Sequence, residues 1–157
     1  MSKIWINWLH IAGCVVLGLF FVNAGVKKFV PKNRPVKPEM VVAWQQAVTD
    51  NRFESPVSFQ LTMASFRQSG FFKMIGVLQL LSAVLLLIPR TRRAGLLLLL
   101  PVTINIFTMH LFMDNRMDEN IETGLVLMAN LLLLLPYVRP LWHHVFGETA
   151  VNLKPKA

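Results

Sequence analysis

Residues 94–115 read AGLLLLLPVTINIFTMHLFMDN. The first two thirds are apolar enough to cross a bilayer, yet the stretch carries Asn105 and His110 and closes on Asp114. Three similar runs accompany it. Residues 4–28 hold Asn7, His10 and Asn23 before ending on Lys27 and Lys28. Residues 71–88 hold Lys73 and Gln79, and residues 121–138 hold Glu122 and Asn130. Each run is close to the ~20 residues a helix needs to cross the hydrocarbon core. In lipid the backbone must satisfy its own hydrogen bonds, so runs of this length are helices. Membrane strands would be about 10 residues long with alternating polarity, and no such pattern is visible. The expectation is an all-α, integral membrane four-helix bundle, one domain over residues 1–157, with spans at about 4–28, 71–88, 94–113 and 121–138.

Composition agrees with this. Of the 157 residues, 54% are hydrophobic and 15% charged, where a soluble domain carries about 25% charged. The net charge of +8 raises the question of nucleic acid, and its distribution answers it. With four spans, both termini and the second loop share one side. That side carries Lys3, Arg90, Arg92, Arg93, Arg139, Lys154 and Lys156 against Glu148. Pro89-Arg90-Thr91-Arg92-Arg93 is a short basic loop without an acid, the setting in which the positive-inside rule works best. The termini are expected in the cytoplasm, and no nucleic-acid partner is expected. The first run is too long for a signal-peptide core. Ile11-Ala12-Gly13-Cys14 resembles a lipoprotein cleavage box, but the flanking residues read as more membrane, so Cys14 is expected to be buried and apolar. A single cysteine excludes an internal disulfide and a CxxC redox pair.

The outer loop, residues 30–70, is long. Its start, Val30–Pro38, is rich in proline and bases and should be extended. Met40, Val41, Trp44 and Val48 then share one helical face, and Phe59, Met63 and Phe66 recur at helical spacing. Ser55-Pro56 reads as a cap with proline at the first helical position. These two short amphipathic helices either lie in the membrane interface or pack on the outer ends of the bundle. Gly70 breaks the pattern before the second span, and Pro136 is expected to end the fourth.

Polar residues of the spans cluster in depth. From the outer ends, Asn23 lies about six residues in, Gln79 and Asn105 about eight, and Asn130 about nine, or roughly 9–14 Å at ~1.5 Å per residue. The inner halves are Leu85–Leu87, Leu96–Leu100 and Leu131–Leu135. Two readings are open: the amides are contacts between helices, or they line a small outward-facing pocket with His110. His110 and Asp114 are four apart and share a face, while Asn105 points about 140° away from His110. Lys27 or Lys28, with His110 and Asp114, would ring an anionic or quinone-like head group. The candidate ligand-binding residues are therefore Asn23, Lys27, Lys28, Gln79, Asn105, His110, Asp114 and Asn130. No catalytic residue is assigned. Metal binding is not expected, since no two His or Cys stand at ligand spacing within the spans. His143 and His144 are adjacent and diverge on a helix.

NAGVKKF at the end of the first run, SGFFKMIGVLQLLSAVLLLIP across the second and LLLLLPVTINIFTMHLFMD across the third resemble the DoxX family of small four-helix bacterial inner-membrane proteins. The resemblance covers roughly residues 10–140. It places Lys28-Phe29, Asn105, His110 and Asp114 at family motif positions. Where many members carry a glutamate in the second helix, this chain has Gln79, followed by Ser82-Ala83 rather than glycines. The family's relation to the small membrane subunit of a thiosulfate:quinone oxidoreductase implies an accessory redox subunit. Such a subunit would bind a quinone or similar amphiphile from the outer leaflet, carry no intrinsic cofactor, and draw electrons from a membrane or periplasmic partner. The other expectation is a non-enzymatic assembly or chaperone-like protein whose amides join helices. A transporter fits less well, because no paired broken helices appear.

Overall fold

The computed structural model describes residues 3–30, 37–52 and 54–146. Among them the chain is all-helical: α1 (Lys3–Lys27), α2 (Pro38–Thr49), α3 (Val57–Gln68), α4 (Phe71–Leu87), α5 (Arg92–Met109), a π-helical turn (His110–Asp114) and α6 (Met117–Phe146). Three helical stretches are long and apolar enough to cross a membrane, Trp5–Lys27, Arg92–Asp114 and Met117–Val138. The chain is thus a multi-pass membrane protein by the length and composition of its helices. The second apolar run forms a 17-residue helix, about 25 Å long. Together with α3, from which it bends by 81°, it makes a fourth candidate.

α1 packs on α4, α4 on α5, α5 on α6, and α6 closes back on α1. The buried core between them is Cys14, Leu17, Phe21, Ala83, Leu86, Leu96, Leu99, Val102 and Leu134. Large apolar side chains such as Trp8, Val16, Val77, Leu125 and Leu135 face outward. A water-soluble protein of this size would bury such a surface; hydrocarbon makes its exposure cheap.

Small residues decide how closely the helices approach. Where α1 crosses α4, a Cβ on Gly25 would lie 3.1 Å from the Gly76 carbonyl, and one on Gly76 would lie 3.2 Å from the Gly25 carbonyl. Seven residues along each helix, Gly18 faces the Ala83 carbonyl. Helix association in lipid depends on such backbone approach, since apolar burial does not drive it there.

The two helices of the 30–70 loop occur where the periodicity puts them, while the expected extended segment falls largely on residues 31–36, outside the described residues. The Phe59–Met63–Phe66 stripe is turned toward the protein. Phe59 lies 5.0 Å from the His110 ring, and Phe66 lies 4.6 Å from Phe71. On α2 the buried residue is Ala47, while Val41 and Val48 of the apolar face are exposed. Gly70 joins α3 to α4 at φ 78°, a left-handed conformation that a side chain would strain.

Two readings need correction. Ser55 does not cap α3: its hydroxyl donates to the backbone carbonyl of Asp114 at 2.6 Å. Pro136 does not end the last helix, since α6 continues through Pro136 and Pro140 to Phe146. Each proline removes one amide donor, and helices in membrane proteins tolerate that locally.

Candidate functional site

At the end of the helices where α1 finishes and α4 and α6 begin, a vestibule of about 710 Å³ opens. Lys27 comes to it from the end of α1 and Lys28 from just beyond, Arg67 from α3, Lys73 from α4, and Glu119 and Glu122 from α6. Asn23 lies on its wall beside Phe20, Phe29 and Phe72. The Gly25–Gly76 approach carries the end of α1 against the start of α4. As a result Lys28 Nζ sits 4.5 Å from the centre of the Phe72 ring, and the Arg67 guanidinium carbon sits 5.6 Å from it. One aromatic ring therefore gathers two cations, a favourable use of its negative face.

A smaller chamber of about 170 Å³ adjoins the vestibule and shares Phe20, Ala24, Lys28 and Glu122 with it. Phe21, Ile106 and Val126 make its walls apolar, and Gln79, Thr103 and Thr123 supply polar atoms. Gln79 is 1% exposed, and its Oε1 has no hydrogen-bond partner among the described residues. Leaving a buried acceptor unmatched costs about 1–3 kcal/mol, and native proteins rarely tolerate that without a reason. A small apolar chamber with one unsatisfied amide suits a compact polar group on an otherwise apolar molecule.

His110 and Asp114 form a different cluster. Asp114 is 5% exposed. Its Oδ2 accepts from Arg116 Nε at 2.9 Å and Nη2 at 2.8 Å, and it lies 3.1 Å from His110 Nδ1. The Asp114 carboxylate holds the Arg116 guanidinium well above its ordinary pKa, chiefly through these hydrogen bonds. Ser55 and Ser58 donate to the backbone carbonyls of Asp114 and Met113 at 2.6 and 3.2 Å. The cluster thus fastens α3 over the π-helical turn. It connects to the vestibule through Arg116, whose Nη2 also donates to Glu119 at 3.1 Å.

The eight residues singled out in the sequence separate accordingly. Asn23, Lys27 and Lys28 line the vestibule, and Lys28 and Gln79 line the chamber. His110 and Asp114 belong to the α3 clasp. Asn130 is fully buried on α6. The Thr103 hydroxyl lies 3.2 Å from the Asn130 side-chain amide, and with that amide oriented to satisfy both ends Nδ2 donates to the Leu96 carbonyl at 3.3 Å and Oδ1 accepts from the Leu100 amide at 3.2 Å. It is a contact between α5 and α6. Asn105 faces outward from α5 and lines neither space. Four amides at one depth are therefore not four amides in one pocket. Thr103, two residues before Asn105, is the polar group that α5 turns inward.

Sequence reasoning missed Arg67, Thr103 and Glu119 as site residues. Lys73, Glu122 and Thr123 were missed as well, although Lys73 and Glu122 stand out in the sequence as charges interrupting apolar runs, the signal that could have found them. At the opposite end, His10 Nε2 donates to the Leu133 carbonyl at 3.0 Å, and Cys14 Sγ lies 3.8 Å from His10 Nδ1. Cys14 is fully buried there. Among the described residues no three His, Cys, Asp or Glu side chains are grouped as metal ligands would be.

Because Asn130 joins helices, Asn130→Leu should lower thermal stability in detergent by about 1 kcal/mol, the scale of an interhelical hydrogen bond in a membrane. The loss should be the same with and without any added ligand. A loss that appears only with ligand present would place Asn130 in the site instead.

Comparison with protein-family models, with curated proteins and with solved structures finds no match to this chain.

Proposed function

We propose that this chain is a DoxX-like four-helix bundle of the bacterial inner membrane that binds a quinone, or an amphiphile of similar build, as the accessory subunit of a redox partner. α1, α4, α5 and α6 would span the bilayer, with both termini in the cytoplasm. In support, the basic Pro89–Arg93 segment is a short connection at the end of α4 and α5 remote from the vestibule; the positive-inside rule weighs short loops more than long ones, which favours an outward-facing vestibule although the long 30–70 loop is also basic.

The observation that carries the ligand reading is the unsatisfied Gln79 Oε1 in the chamber. An amide has donors on nitrogen and an acceptor on oxygen. Gln79 can therefore donate to a quinone carbonyl or accept from a quinol hydroxyl, and it serves both redox forms without titrating. A glutamate here could carry a proton; glutamine cannot. The reading accordingly assigns the chain binding and positioning, and leaves electron transfer to the partner.

The test is thermal unfolding in detergent with a short-chain quinone or quinol. At a ligand concentration about 100 times Kd, wild type should gain about 2.7 kcal/mol. Gln79→Leu should fold and gain nothing, while Asn130→Leu should gain as much as wild type. No gain in wild type would count against the reading. A second reading, an assembly or chaperone-like protein, is favoured by α2, whose Val41, Val42 and Val48 are exposed beyond the helix cluster. Mass spectrometry of molecules that co-purify with the protein separates the two: retained quinone supports the first, and bulk phospholipid alone supports the second.

A further inference from the structure

The vestibule has a chemistry of its own that the chamber does not explain. Four cations converge on it from three separate segments: Lys27 and Lys28, Arg67, and Lys73. Two carboxylates face the same space, Glu119 and Glu122, and Glu119 already accepts from Arg116. Among the described residues, the walls therefore carry two more positive than negative side chains. Lys28 and Arg67 are both held against Phe72, which limits how far these two heads can swing apart. Lys73 is the third residue of α4, at the helix end that favours anions. The amide of Asn23 adds a neutral donor.

We propose that the vestibule is a binding site for a phosphate head group of net negative charge, with no cation of its own beside the phosphate, held by Lys27, Lys28, Arg67 and Lys73. A carboxylate is planar, and a single forked arginine satisfies it. A phosphate presents several acceptor oxygens in divergent directions, and it suits lysines acting as point charges beside an arginine. Donors arriving from α1, α3 and α4 match that shape. The level within the protein also fits. The cations stand where apolar helices end, and a membrane's own phosphates lie at that level. Gln79 is seven residues below Phe72 on α4, about 10 Å deeper. A head group in the vestibule and a small polar group in the chamber are thus separate events, and the proposal does not require the quinone reading to hold.

The source of the phosphate is a lipid head group or a free anion, and one experiment separates them. Wild-type protein is reconstituted in nanodiscs that mix phosphatidylglycerol with phosphatidylcholine, extracted gently, and its retained lipid counted by native mass spectrometry. In parallel, thermal unfolding in neutral detergent is followed with and without inorganic phosphate. Arg67 and Lys73 are exposed, so the pair Arg67→Gln and Lys73→Gln should fold; Arg90→Gln, at the opposite end, is the control.

Wild type should retain phosphatidylglycerol over phosphatidylcholine. The paired variant should lose that preference by about tenfold or more, at roughly 1 kcal/mol per basic residue near a surface. Arg90→Gln should keep it, and so should Gln79→Leu, which isolates the vestibule from the chamber. Stabilisation by inorganic phosphate with the same dependence on Arg67 and Lys73, but no lipid preference, would support the site and assign it to a soluble phosphate. Absence of both effects in wild type overturns the proposal. So does an equal loss in Arg90→Gln, because the effect would then be general charge.

Discussion

Gly95→Ala is expected to cost several kcal/mol and to leave little folded protein in detergent. A Cβ at Gly95 would lie 2.9 Å from the Leu86 amide nitrogen, 2.9 Å from the Ser82 carbonyl oxygen and 3.1 Å from the Leu85 carbonyl carbon. All three are backbone atoms of α4, which cannot rotate out of the way. Admitting one methyl therefore requires α4 and α5 to separate along the contact that buries Ser82, Ala83, Leu86, Leu96 and Leu99. Overpacking a tight core costs about 1–3 kcal/mol and occasionally more; a backbone obstacle belongs at the upper end. Gly13→Ala is the matched control. Its Cβ would meet Leu133 Cδ2 at 2.9 Å, the far end of a flexible side chain, and alanine is the better helix former by about 1 kcal/mol. It should be neutral or mildly stabilising. Equal melting temperatures for the two variants would mean that the α4–α5 contact is looser than described.

Asp114→Ala should release the 30–70 loop while sparing the helix cluster. The side chain of Asp114 is 3% exposed and that of Arg116 51%, so the arginine regains water when its partner is lost. The larger consequence is for the π-helical turn. His110, Arg116 and the two serine-bound carbonyls all depend on the chain staying wound at Asp114. Hydrogen exchange or limited proteolysis over residues 37–68 should accelerate at least roughly tenfold, the equivalent of one lost hydrogen bond to a charged group. α1 and α4 should keep their protection, since neither is part of the clasp. Equal acceleration in all helices would show that the cluster supports the whole fold. Unchanged exchange would show that α3 is held by Phe59 and Phe66 instead.

Helices were legible because their signals are local. A run such as residues 94–114 declares itself by length and hydropathy, and Gly70 and the Phe59–Met63–Phe66 stripe by chemistry and spacing. Pro136 misled because proline stops helices dependably in water and less so where packing holds them. Ser55 misled because a hydroxyl before a proline fits a cap, whereas this one is used by a carbonyl 59 residues away.

For the site, the sequence by itself determined depth. Rise per residue is constant along a helix, so Asn23, Gln79, Asn105 and Asn130 could be ranked from the ends of their runs. Lys27 and Lys28 could likewise be placed at the end of theirs. Azimuth was decided only by the tertiary structure. Which side of α5 faces inward depends on where α4 and α6 lie, and that is set by close contacts such as Gly95 against Ser82 and Gly25 against Gly76. The same packing that buries Thr103 and Gln79 turns Asn105 outward, commits Asn130 to α5, and gathers Arg67 with Lys28 on one phenylalanine ring. Depth follows from the geometry of a single helix, whereas direction requires its neighbours.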